Sequence, residues 1–387
     1  MDIALKDHII NLAKLFPWYQ SLIDSIDLSK TELCELPVID QHLLAKYYYN
    51  RSNYFSDAMT YYTSGTSSGM RKRIYYSPND HRAYLSHRKE IFKRYITPEC
   101  KVACSDLGTG HAADSAMYIF NELGLRTYKI DYTIPLDQHI NILNNVQPDV
   151  FFVMPMILDK LIQTKNLKIH PKKIFLVGDI ATKIWQKNIA DYFNIKITSI
   201  IDLLGSIEVG SIAFFNHDIG LYQIEEHIIP EIIHLPNDGL PVLVLTSTAR
   251  NYFPAIRFNT HDMVENLHSI QFNDRQIWVF ERCLGRIGEE FKAGEKISFY
   301  DLLACVEKNL PKIPFNVIEH QYQVQLLLPA SKVTPEQVDN LKIALRRVNP
   351  DIDAMITSGL TPDFIVNCVD DSKLDGNHFK RKILKIK

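Results

Sequence analysis

The chain has 387 residues, 46% of them hydrophobic and 23% charged, with a net charge of −2. This is ordinary globular composition with room for two or three domains, and it excludes a global basic field that would hold nucleic acid by its backbone. The six cysteines (Cys34, Cys100, Cys104, Cys283, Cys305 and Cys368) form no C-x-x-C pair, which excludes the common zinc and redox motifs and suits a reducing, cytoplasmic setting.

The N-terminal stretch MDIALKDHIINLAKLF carries Asp2, Lys6 and Asp7, too polar for a signal-peptide core. No window approaches the roughly 18 consecutive apolar residues of a membrane span. Periodicity predicts an amphipathic helix over residues 8–26 and a helix with a basic face from Asp80. From Lys101 strands and helices alternate. KVACSDLG, PDVFFVMP, KKIFLVGD and IKITSIIDLLG read as strands, as does RTYKIDY; ADSAMYIFNELGL, the stretch ending near Gln163, and IWQKNIADYF read as helices. The alternation predicts right-handed crossovers and a largely parallel sheet. Its ligands would sit beyond the carboxyl ends of the strands, three of which carry Gly108, Gly178 and Gly205.

Past Gly220 the texture turns to strands, with a hairpin turn expected at Asn237-Asp238-Gly239. Beyond RQIWVFERCLGRIGEE a small α+β unit follows, in which Thr334-Pro335-Glu336 marks a capped helix start. The expected fold is α/β: a large N-terminal domain over 1–285 with mixed or parallel sheets, and a small mobile lid domain over 286–387.

The stretch YYTSGTSSGMRKR, Tyr61 to Arg73, stands out in a chain with only 15 glycines. It fails the Walker spacing, because Gly65 and Gly69 are too close and no lysine follows Gly69. It also fails G-x-G-x-x-G. What remains is a run of hydroxyls and close-approach backbone followed by cations, the chemistry of a mobile polyphosphate clamp.

YTSGTSSGMRK resembles the phosphate-loop signature T-S-G-T-T-G-x-P-K of the adenylate-forming superfamily, which holds acyl-CoA synthetases, adenylation domains and luciferases. Further segments resemble that family in its own order: DLLGSIEVG ending near Glu208, PAIRFNTHDMV with Asp262, and CLGRIGEE with Gly285-Arg286. IEEHIIPEII, LGTGHAADSAMYIFNELGLRTYKI and LVGDI are similar to segments of the phenylacetate–CoA ligase branch. Arg71 stands where the family has proline, Leu204 where an aromatic often stacks on adenine, and Gly288 where the hinge usually has aspartate.

The resemblance implies an ATP- and Mg²⁺-dependent acid–thiol ligase. Thr63, Ser64, Gly65, Thr66, Ser67, Ser68, Gly69 and Lys72 would cradle phosphates, and Gly205 would belong to the cofactor site. Glu208 would hold the metal and act in catalysis. Asp262 would bind ribose, and Arg257 and Arg286 would orient ribose or phosphate. A C-terminal lysine would bridge acyl oxygen and α-phosphate: Lys380 by register, with Lys382 and Lys385 as neighbours. The acid pocket would be lined by Gly108, Thr109, His111, Gly178, Asp179 and Leu204, with His111 either lining the pocket or capping the helix after it. His227 is expected to be structural. The implied acid is aryl or hydroxybenzoic, and the thiol acceptor is CoA or the phosphopantetheine of a separate carrier protein, as in siderophore or secondary-metabolite biosynthesis. The alternatives are an acyl-protein synthetase for fatty acids and a degenerate, non-catalytic nucleotide-binding module.

Overall fold

The fold is taken from a computed structural model. It describes the chain except residues 50, 52–54, 68–69, 109, 180, 235–240, 287–289, 312, 321–322, 372–373, 375–382 and 386–387, and gives backbone alone for 63–67, 70–71, 285–286, 290, 292, 296, 298–300, 320 and 383–385. The expected turn at Asn237-Asp238-Gly239 and the expected Lys380 and Lys382 lie outside the described residues.

Five strands run parallel in a nine-stranded sheet: Arg126–Lys129, Val102–Asp106, Val150–Val153, Lys173–Val177 and Ile200–Ser206, in that spatial order. Gly210–Asn216, Leu221–Ile224, Arg275–Phe280 and His268–Phe272 extend it antiparallel. Helices His111–Glu122, Leu136–Val146, Pro155–Gln163 and Lys183–Phe193 make the crossovers. Phe92, Phe120, Phe152 and Phe175 close ranks in the core beside this sheet, with the Phe92 and Phe120 rings stacked at 4.9 Å. The strand order reverses beside Val102–Asp106, because its successor in the chain lies on one side and the next strand on the other. A crevice at the carboxyl ends is the usual ligand site of such sheets.

A second apolar core joins the N-terminal helices, the hairpin Met59–Ser67/Met70–Tyr76 and the sheet Ile228–His234/Pro241–Ser247/Phe258–Asn259. A third builds the small C-terminal domain, where helices Phe299–Asn309 and Pro335–Arg346 accompany a four-stranded sheet. The two domains touch: the Leu136 N–H donates to the Ser358 carbonyl at 2.8 Å, and Met355 and Leu360 enter the core of the large sheet. Among the described residues no helix is long and apolar enough to cross a membrane.

Three elements differ from the sequence expectation. The helix over 8–26 is two helices, Ile3–Leu15 and Pro17–Ile23, because Pro17 has no N–H to continue the first and fits the start of the second. The strand expected from Ile195 begins at Ile200, after a 3₁₀ turn over Ile197–Ser199. The loop expected at Tyr61–Arg73 is largely two paired strands. Its Thr and Tyr residues favour a pleated ladder, and the irregular part is confined to a bulge.

Candidate active site

That bulge lies where the sequence places the phosphate contacts. Tyr62 pairs with Arg73 and Thr66 with Arg71, so Thr63, Ser64 and Gly65 together stand opposite the single Lys72. Extra residues in one strand leave backbone groups outside the ladder, which is what close approach to an anion requires. Ser67 pairs with Met70, while Ser68 and Gly69 lie outside the described residues. Lys72 departs from its expected role: its ammonium donates to Gln41 Oε1 at 3.0 Å and sits over the Tyr49 ring. The adjacent helix Gln41–Leu44 captures the cation.

Glu208 occupies the tight turn between the strands ending at Ser206 and starting at Gly210. Its carboxylate makes no hydrogen bond or ion pair among the described residues, although the residue is buried. The turn is clamped from the backbone side. Tyr76 Oη donates to the Ile207 carbonyl at 2.9 Å, Arg250 Nε to the Glu208 carbonyl at 2.9 Å, and the Val209 N–H to Ser206 Oγ at 3.1 Å. Among the described residues no three metal-ligating side chains gather into a complete cage. A single unpaired carboxylate fits Mg²⁺ well, since that ion usually takes one or two carboxylates and completes its shell with substrate phosphates and water.

Asp262 and Arg286 are brought together. They are direct partners across the antiparallel pair Asp262–Glu265/Arg282–Arg286, with Gly285 opposite Met263. Arg257 departs from expectation. Its Nε donates to Glu231 at 3.1 Å and its Nη1 to the Leu36 carbonyl, so its guanidinium ties the second sheet to the N-terminal segment. Gly205 departs too: it lies inside its strand opposite Ser211 and does not make a turn. A Cβ there would stand 3.0 Å from the Gly210 carbonyl and 3.2 Å from Arg88 Nη2.

Gly108 (φ +69°) and Gly178 (φ +87°) do turn the chain at their strand ends. A Cβ on Gly108 would strike the Tyr132 ring at 2.4 Å; Tyr132 in turn reaches Met154, whose sulfur lies 3.2 Å from a Cβ placed on Gly178. These three strand ends are thus one continuous surface. Thr109 lies outside the described residues. Leu204 is half-buried against the second core. The charge of Asp179 reaches Asp159 and Asp202, and Asp202 is pushed up to about 7, chiefly by burial.

His111 follows Gly110 at the start of its helix but does not cap it. Its ring sits among Tyr61 (4.2 Å), Tyr84 (4.3 Å) and Tyr76 (4.8 Å), and its buried Nε2 has no hydrogen-bond partner. Burial, then the charges of His81, Arg250 and Arg88, push its pKa down to about 3, so the ring is neutral. His227 stacks on His87 with centroids 4.0 Å apart.

Sequence reasoning missed the buried polar stripe of the helix Pro78–Tyr95. Asp80, Tyr84 and Arg88, spaced four apart, are all buried alongside Ile91 and Phe92. That spacing was the available signal, hidden by the helix's many surface cations. Asp80 binds Arg250, which Pro241–Ser247 delivers from the other side.

The C-terminal segment 292–370 matches the family model of the fumarate–diaminopropanoate ligase C-terminal domain. Over 391 residues the chain is 42% identical to the fumarate–(S)-2,3-diaminopropanoate ligase of Enterobacter agglomerans, covering 98% of each. The fold is similar to that of 2-hydroxyisobutyryl-CoA ligase bound to its acyl-adenylate and CoA, with a TM-score of 0.76 at 14% identity, covering 100% of this chain and 90% of that one. An amide bond synthetase from Marinactinospora thermotolerans overlays with a TM-score of 0.55 at 11% identity, over 80% of this chain and 65% of the other. The chain shares the fold of these ligases, and none of these relatives supports the phenylacetate–CoA ligase branch. The large mixed-sheet domain, the small C-terminal domain and the full-length identity lead to one conclusion: the chain is an ATP-dependent ligase and belongs to the family of the fumarate–(S)-2,3-diaminopropanoate ligase.

Proposed function

We propose that this ligase activates fumarate as an acyl-adenylate and joins it to an amino group of (S)-2,3-diaminopropanoate. The observation that carries the reading is the 42% identity across 98% of both chains with a ligase of that name. Three tyrosine rings crowding His111 also favour a short acid over the aryl acid expected from sequence. The comparisons give no support to a carrier-protein acceptor.

In the first half, a carboxylate oxygen of the acid attacks the α-phosphorus of ATP, and pyrophosphate leaves. The bulged Thr63–Gly65 backbone accommodates the phosphates, and Asp262, beside Arg286, takes the ribose hydroxyls. Glu208 would hold Mg²⁺, which when bound neutralises phosphate charge. In the second half, the amine nitrogen attacks the acyl carbon, the bond to the phosphate oxygen breaks, AMP leaves, and the ammonium loses a proton to solvent. Positioning carries most of such chemistry. A hinge at Gly285–Arg286, between domains over 1–285 and 286–387, would let the small domain serve both halves. Lys380 is our choice for the lysine of the first half.

The test is ATP–pyrophosphate exchange with fumarate, benzoates, hydroxybenzoates and fatty acids, followed by mass analysis of products with (S)-2,3-diaminopropanoate or CoA. Fumarate-dependent exchange and an amide of the diamino acid are the expected result. Exchange driven only by an aryl or fatty acid, or a thioester as the sole product, would overturn the reading. Replacing Glu208 with Gln should cut fumarate-dependent exchange by roughly 10²-fold or more, as for loss of a transition-state charge contact.

A further inference from the structure

We infer that Arg88 is the receptor for the second carboxylate of a dicarboxylic acid substrate, the one not activated; this rests on the reading of fumarate as the acid. Arg88 is 4% exposed, and its Nη1 is fully buried with no hydrogen-bond partner. No hydrogen bond or ion pair to it is found among the described residues, and its guanidinium carbon lies 5.8 Å from the centre of the Tyr84 ring. A buried cation with no partner carries a desolvation cost that a counter-anion would offset, and arginine's planar fork matches a carboxylate in particular.

The guanidinium lies where the acid is expected. Nη2 is 3.2 Å from the point where a Cβ on Gly205 would stand, at the carboxyl end of the strand Ile200–Ser206. Any side chain there would crowd the guanidinium. The ring of Tyr84, one turn earlier on the same helix, lies tilted against His111 with centroids 4.3 Å apart. The charges facing Arg88 are few. His111 is neutral, and Glu225 bonds Ser211 Oγ at 2.9 Å and feels both Arg88 and Arg94. None of these is an ion-pair partner of Arg88.

The experiment compares fumarate with crotonate and monomethyl fumarate, which share its trans four-carbon skeleton but lack the second charge, in pyrophosphate exchange by the full-length wild type, Arg88→Met and Arg88→Lys. Wild type should favour fumarate. Arg88→Met should lose on the order of 10²-fold in fumarate-over-crotonate selectivity, because a site built to bond a polar group discriminates strongly against its absence. The loss should appear in the acid's KM, with the KM of ATP unchanged. Arg88→Lys should retain part of the selectivity. The melting temperature of ligand-free Arg88→Met should equal or exceed that of wild type, since an unpaired buried charge has been removed.

An unchanged selectivity ratio in Arg88→Met overturns the inference while leaving fumarate as the acid. A rise in the KM of ATP that is equal with every acid would assign Arg88 to a phosphate instead, and also overturns it. So does a fall in melting temperature with equal losses on all acids, the mark of a structural role. Wild type that is silent with fumarate and other short dicarboxylates, yet active with another acid, overturns the fumarate reading and this inference together.

Discussion

Arg250 and Arg88 are both buried, at 2% and 4% exposure, Arg250 on the Glu208 carbonyl and Arg88 close to Gly205. Arg250 uses its whole fork. Nη1 donates to Asp80 at 2.7 Å, Nη2 to the Tyr75 carbonyl at 3.0 Å and Nε to the Glu208 carbonyl at 2.9 Å, and its plane lies 3.6 Å over the Tyr76 ring. Asp80 is equally committed, accepting from the Asn251 N–H at 2.9 Å, Asn251 Nδ2 at 2.8 Å and the Tyr252 N–H at 2.9 Å. Arg88, two turns further along the helix that carries Asp80, has no such set. A fully partnered buried ion belongs to the architecture. An unpartnered one of the same chemistry, beside the strand end proposed to hold the acid, is better explained by a group that arrives with the substrate. The difference separates the residues that fix the Glu208 turn from the residue that would read the acid.

The largest effect should come from putting Arg250 into the state of Arg88. Asp80→Ala removes the carboxylate, strands the Arg250 charge and the N–H groups of Asn251 and Tyr252, and breaks the capping box with Ser77. Breaking a buried pair from one side costs about 3–5 kcal/mol, and denaturant unfolding should show a loss of that size. A loss under about 1 kcal/mol would mean that Arg250 is not held as described.

A smaller effect should sharpen the other side. Gly205 lies outside the positive-φ region, so Gly205→Ala strains no φ, but its Cβ meets the Gly210 carbonyl at 3.0 Å and Arg88 Nη2 at 3.2 Å. The strand pair must shift, at about 1–3 kcal/mol, and the flexible guanidinium must move. The acid's KM should rise more than that of ATP. Equal changes in both would place Arg88 away from the acid.

How much of this was legible follows from what each residue reports on. The alternation of short apolar runs and amphipathic stretches from Lys101 to Gly205 records burial on both faces of a parallel sheet, and the strands fall where that pattern placed them, except that the last begins at Ile200 rather than Ile195. Thr63–Ser67, Glu208 and Asp262 were singled out because the segments around them resemble motifs of a known family. The pairing of Asp262 with Arg286 was not, since a β-register between segments so far apart leaves no local trace. Arg257 and Lys72 were assigned to the nucleotide because an arginine in sequence carries only its charge; Glu231 and Gln41, which hold them, come from distant segments. Arg88 was read as part of a basic helix face for the same reason. Only burial without a partner sets it apart from Lys89 and Lys93.

The smallest expected effect tests whether the Arg88 charge reaches its neighbourhood. Burial pushes Glu225 up to about 7, against the Ser211 hydrogen bond and the charges of Arg88 and Arg94. A carboxyl whose folded pKa lies above its unfolded value binds more protons when folded, so its contribution is fully present below the unfolded pKa near 4.5 and is lost as pH rises through about 7. Glu225→Gln should therefore be more stable than wild type at pH 8, by about 1–2 kcal/mol, with no gain at pH 4.5. The ligand adds a second slope. A carboxylate seated on Arg88 removes the positive charge that favours ionised Glu225 and raises its pKa further, so binding takes up protons. Fumarate affinity, read from its KM, should weaken as pH climbs through 7 in wild type and stay flatter in Glu225→Gln. Crotonate, with no second carboxylate, should show little of this difference. If fumarate and crotonate show the same pH dependence in both proteins, Arg88 and Glu225 do not share the acid's field.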